Sequence, residues 1–186
     1  MAIAFDAQSN NGTSGTGTSV TLSHTCTGSD LILWVGLGIY EPSGGDCITG
    51  VTYNGVAMTQ AIKYAASATE EVYLYYLVNP ATGANDIVAS ASTTVDEFNV
   101  RASSFTGAKQ TGVPDASVSN QATSATSLTT TVTTIADNCW LVGMYNSNAS
   151  NVSAGTGTTF RNGITSSKQW VTQMEQKLLQ VLTVCR

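Results

Sequence analysis

Apolar residues in this 186-residue chain recur at every second position in short runs, and each run ends in residues that cannot extend a strand ladder. A period of two punctuated by Gly, Pro, Asn and Asp is the pattern of half-buried strands joined by turns. "TSVTLSHTC" (18–26) sets Val20, Leu22 and His24 against Ser and Thr, and "EFNVRASSFTG" (97–107) alternates Phe98, Val100, Ala102 and Ser104. "LILWVGLGIY" (31–40) is apolar almost throughout, as expected of a central strand covered on both faces, and "EPSGGD" stops it.

The turn chemistry adds connectivity. Asn54 and Gly55 sit between two strand-like runs in "ITGVTYNGVAMTQAI" (48–62), and both tolerate the positive φ that a type I′ hairpin turn demands. "EEVYLYYLV" (70–78) and "DIVASAS" (86–92), joined by "NPATGAN", read as a second hairpin with a longer loop. "AKQTGVPDAS" reads as a surface crossing, "TSLTTTVTT" (126–134) and "NCWLVGMYN" (138–146) as further strands, and a short strand is expected near Phe160. Segments 9–19 and 147–159 are Gly/Ser/Thr/Asn stretches expected to be loops.

In all, about nine or ten strands are predicted in one domain over residues 1–168, followed by an atypical tail at 169–186. The predicted fold is all-β, a two-sheet antiparallel β-sandwich, jelly-roll-like or immunoglobulin-like.

Composition bears on surface and partners. Charged residues make up 10% of the chain, well below the roughly 25% usual for globular proteins, so Thr, Ser and Asn must cover the surface. Such a surface suits a virion or extracellular β-protein. A net charge of -5 with seven basic residues argues against nucleic acid, which needs clustered Lys and Arg. The residues after Met1 lack the basic and apolar regions of a signal peptide, so the chain is expected to start in its mature form. The longest apolar run is about half of a helical bilayer crossing, and no membrane insertion is expected.

The residues able to carry chemistry are few. His24 is the only imidazole, lies in an alternating strand rather than on a nucleophile elbow, and is expected to face a sheet surface or a loop. Glu41 and Asp46 flank a turn, while Glu70 with Glu71 and Asp96 with Glu97 begin strands; neighbouring carboxylates there point to opposite faces, so solvated strand ends are expected. Cys26, Cys47, Cys139 and Cys185 form no CxxC pair, which argues against zinc. Cys26 and Cys47 either pair across adjacent strands or remain free thiols. Asp30 and Asp46 lie in Gly-rich loops without the spacing of a calcium loop, and no metal or other cofactor is expected. Tyr73 and Tyr75 share one strand face; with Tyr40 they are the candidate ligand-binding residues, as an exposed platform for glycan stacking. Trp34 and Trp140 are expected in the core.

"VTYNGVAMT", "VYLYYLVNPATGAN" and "SFTGAKQTGVPD", in this order, resemble a β-sandwich module of bacterial surface proteins and phage structural proteins. The resemblance covers roughly residues 3–165 and marks turns and core strands, so it speaks to fold and hardly to function. It implies a non-catalytic structural or adhesive module whose partners are copies of itself or other virion or surface proteins, with glycans as the competing partner class. No catalytic residues come with it.

The chain departs from that module at Trp170. "QWVTQMEQKLLQVLTVCR" has no Gly or Ser, and Trp170, Met174, Leu178 and Leu182 recur every four residues, which reads as a helix or an irregular tail. One allowed codon set for Val171 to Arg186, read from one base earlier, spells Gly-Asp-Ser-Asn-Gly-Ala-Glu-Thr-Pro-Ala-Gly-Ser-Tyr-Ser-Leu-Gln. That is a turn, a second turn and a strand start in the composition of the preceding domain, so the tail reads as a frameshifted closing segment. Losing a closing strand would open a sheet edge, which the tail is expected to cover or to use for self-association.

Overall fold

The computed structural model describes residues 2–12, 15–65, 67–121, 129–147, 159, 161, 169–172 and 178–184. Among them every regular element is a strand, as the period of two predicts, and every ladder is antiparallel. The strands are β1 (Ala4–Asn10), β2 (Gly15–Cys26), β3 (Ile32–Tyr40), β4 (Ile48–Tyr53), β5 (Val56–Ala57), β6 (Thr59–Ala65), β7 (Glu70–Val78), β8 (Gly83–Thr106), β9 (Ser117–Gln121), β10 (Trp140–Ser147), β11 (Gln169–Thr172) and β12 (Leu178–Val184).

The organising element is β8, 24 residues long. Its first part, to Ala91, lies between β2 and β4, and its last part, from Glu97, lies between β1 and β3. One strand therefore serves two layers, and the 8-stranded sheet doubles back on itself. Between the layers sit Leu33, Val35, Leu37 and Ile39 of β3, Val51 and Tyr53 of β4, and Ile87, Ala89, Phe98 and Val100 of β8. Full burial of each large aliphatic side chain contributes about 1.5–3 kcal/mol, so this layer is the main source of stability.

Alternate residues of β3 and β7 face the other way. Ile32, Trp34, Val72 and Leu74 join Phe105 and pack against Val142 and Met144 of β10 in a second core. β10 belongs to a separate 4-stranded sheet, ordered β11-β10-β12-β9. Gly36 makes the close approach feasible: a Cβ there would lie 2.6 Å from Met144 Sδ. The continuous apolarity of 31–40 thus has its cause, since β3 is buried on both faces.

Several local expectations change. Asn54 and Gly55 form the expected tight turn, with φ of 49° and 75° and Tyr53 opposite Val56. The second hairpin does not form: β7 pairs with β3 and β6, whereas the chain after Asn79–Pro80 crosses to the other layer. In the segment 9–19, expected as a loop, residues 9–10 and 15–19 are strand, and residues 93–96 continue β8 between the runs read at 86–92 and 97–107, because Thr93, Thr94 and Val95 are β-branched. The run at 126–134 is not a strand over its described part, 129–134, and the strand expected near Phe160 falls outside the described residues.

The helical reading of the tail is corrected at both of its described segments. Residues 169–172 and 178–184 are strands on either side of β10, and β12 also pairs with β9. Propensity favoured a helix over Met174 to Leu182, but Val181, Thr183 and Val184 are β-branched and β10 offers two open edges, so pairing decides the outcome.

Candidate functional site

Two polar clusters adjoin the apolar frame; the first gathers several of the candidate residues and opens to solvent at Asp46, whose side chain is 55% exposed. Along β7, Glu71, Tyr73 and Tyr75 point between the two layers, and across the ladder Lys63 stands opposite Tyr73 and Gln60 opposite Tyr75. This register carries the Lys63 ammonium to 5.6 Å from the Tyr73 ring and to 3.0 Å from Glu71 Oε1. Asp46 arrives from the turn between β3 and β4. That turn is tucked in tightly: Gly44, at φ 77°, has Ala68 O 2.8 Å from where a Cβ would be.

Asp46 Oδ2 lies 2.8 Å from Lys63 Nζ, and Tyr73 Oη donates to Asp46 Oδ1 at 2.7 Å. The same hydroxyl also lies in very close hydrogen-bond contact with Glu71 Oε2. The Lys63 hydrogen bond holds the Asp46 carboxyl below its ordinary pKa. Burial pulls Lys63 down, but its bonds to Asp46 and Glu71 more than offset this and its pKa rises. Burial, then hydrogen bonds to both carboxylates, push the Tyr73 phenol far up. Tyr75 is pushed up to about 12 by burial and by the Asp46 charge, and its hydroxyl donates to Gln60 Oε1 at 2.9 Å. The arrangement holds one ammonium and one phenol against two carboxylates at the end of the sandwich.

The exposed tyrosine platform is therefore corrected. Tyr73 is 0% and Tyr75 4% exposed, and their rings stack on each other at 6.4 Å inside the protein. Tyr40, half-buried, projects from the opposite face of β3 to the one that meets Glu71 and Tyr73, so the three are not brought together. Glu41 and Glu71, expected at solvated ends, are buried, and Glu41 Oε1 accepts from the Ser43 amide at 3.0 Å. Trp34 is in the core as expected, while Trp140 is 39% exposed. Cys26 and Cys47 are free buried thiols.

The second cluster surrounds His24, which faces the interior instead of a surface and is 1% exposed. Its Nδ1 is 2.9 Å from Ser9 Oγ and its Nε2 is 3.0 Å from Ser104 Oγ. Ser104 in turn donates to Asp6 Oδ2 at 2.6 Å, and Asp6 accepts from the Thr27 amide and hydroxyl. The chain ties β1, β2 and β8 together at one side of the sandwich. Burial lowers the His24 pKa to about 4, against the opposing pull of Asp6. Burial alone would raise Asp6, but bonds from Ser104 and Thr27 bring it below its ordinary value.

Arg101 was not legible as a buried residue. Its Nη1 donates to Asn11 Oδ1 at 2.7 Å and Val100 O at 2.9 Å, and its Nη2 to Gly12 O at 3.0 Å. Burial lowers its pKa to about 10. The polar run after β1, expected as a loop, supplies two of the acceptors for its Nη atoms, while Nε is buried without a partner; alternation placed Arg101 on a strand face without saying what covers that face.

Among the described residues no group of three or more His, Cys, Asp or Glu side chains could hold a metal ion, and no helix is long and apolar enough to cross a membrane. No protein-family model, curated protein or solved structure matches the chain.

Proposed function

We propose that the protein is a non-catalytic structural or adhesive module, working in a phage virion or a bacterial surface assembly. The observation that carries this reading is where the reactive groups are used. Lys63, Asp46, Glu71 and Tyr73 engage one another and tie the β3–β4 turn to β6 and β7; His24, Ser104 and Asp6 tie three strands in the same way. Groups spent on holding strands together suit a domain selected for rigidity. The low surface charge and the resemblance to surface and virion modules support the same reading.

The assembly partner is another copy of the chain or another virion or surface protein. Sedimentation velocity over a range of concentrations, with electron microscopy of the heaviest species, tests this, and ordered assemblies are expected. Turnover of glycan substrates abolished by Glu41→Gln or Asp46→Asn would overturn it. Glycan binding is the competing outcome: with Tyr73 and Tyr75 buried, a glycan array should lose its signal on Tyr40→Ala if that reading holds. We also propose that residues 171–186 stand in place of a closing segment encoded one base away.

A further inference from the structure

We propose that Lys63 and Asp46 become joined by an amide bond, formed within the folded protein with Glu71 as the proton carrier. The nucleophile is in place: Lys63 Nζ is 2.8 Å from Asp46 Oδ2, and the carboxyl carbon is one bond further. A second carboxylate oxygen, Glu71 Oε1, touches the same nitrogen at 3.0 Å. The Tyr73 hydroxyl lies 2.7 Å from Asp46 Oδ1, the oxygen that would carry negative charge as the carbon becomes tetrahedral. Glu71 and Tyr73 are buried and hydrogen-bonded to each other, so the proton carrier and the oxyanion donor are fixed before any reaction.

The chemistry balances without a co-reactant. The ion pair is the resting state, since the contacts that raise the Lys63 pKa and lower that of Asp46 favour it; the reactive form arises when one proton moves along the Lys63–Asp46 contact to give a neutral amine and a carboxylic acid. The amine nitrogen attacks the Asp46 carboxyl carbon, and Tyr73 donates to the oxygen on which charge gathers. Glu71 takes a proton from the nitrogen and delivers it to Oδ2, which leaves as water. One N–C bond forms, one C–O bond breaks, one water molecule is released, and nothing is oxidised or reduced. Condensation in water is unfavourable between separate molecules, but effective molarities of about 10⁵–10⁸ M are reached by groups held in contact.

The bond would clamp β6 to the turn that leads into β4, and it would close a covalent ring around β4, β5 and the Asn54–Gly55 turn. It is independent of the assembly reading above: without it the module would still be structural, and with it the module gains a covalent strap.

Intact-mass measurement of the purified full chain is the test, followed by proteolysis. The expected mass is that of the sequence less one water, with the peptides containing Asp46 and Lys63 recovered as a single branched species. Lys63→Arg and a folded Glu71→Gln variant should show the full mass. Asp46→Asn should still join to Lys63, but with loss of ammonia. Full mass for the wild-type chain after prolonged incubation overturns the proposal. So does a water loss that persists in Lys63→Arg, because it would mark succinimide formation at an aspartate instead of a cross-link.

Discussion

A single imidazole shows how much of this fold depends on one protonation state. His24 is buried as a neutral ring between Ser9 and Ser104, and its pKa is about 4 against 6.5 for the free side chain. Between those values the unfolded chain binds a proton that the folded chain refuses. Stability from this residue is therefore complete above about pH 6.5 and drains away as the pH falls towards 4. Thermal melts across this range should show Tm falling with acidity for the wild-type protein. His24→Gln, less stable throughout, should lose that part of the slope; an unchanged slope would place the acid sensitivity elsewhere. Asp6 acts only further down, below its ordinary value of 3.8. The sequence displayed His24 in an alternating strand but not its partners, because Ser9 and Ser104 lie 15 and 80 residues away along the chain.

At the scale of elements, strands were readable and their partners were not. Alternation located β2, β3, β4, β7, much of β8 and β10, and the Asn54–Gly55 turn fixed one hairpin, since each of these signals is local. Pairing is a long-range choice. The seven residues after Val78 are compatible with a hairpin loop or a crossing between layers, and only the apolar demand of the whole core selects the crossing. The tail carried the opposite conflict, with local helix propensity overridden by the open edges of β10. The contact between the two sheets makes a sharp test of this packing. Gly36→Ala should cost about 1–3 kcal/mol, because its Cβ would intrude on Met144 Sδ. In a Met144→Ala background the same change should cost much less, a coupling that denaturant unfolding of the four variants would read. Additive costs would mean that β10 does not rest on β3 in this way.

For the whole molecule, the question is what the fold requires of its closing segment. The doubled sheet carries a core of its own, built from β3, β4, β7 and β8. The second core is different: Val142 and Met144 of β10 cover Trp34 and Phe105, and β10 is held in place by β11 and β12. Removing residues 169–186 strips both neighbours from β10 and leaves its N–H and C=O groups open to another chain. That truncation should aggregate on warming while keeping most of its sheet signal by circular dichroism. Replacing residues 171–186 by the shifted-frame segment separates an accidental tail from a working one. If the "TPAGSYSL" stretch is the strand for which this edge is shaped, the restored chain should melt higher than the present one, by about 2–4 °C for each kcal/mol gained. A lower Tm for the restored chain would show that β11 and β12, whatever their coding history, are the strands this fold requires.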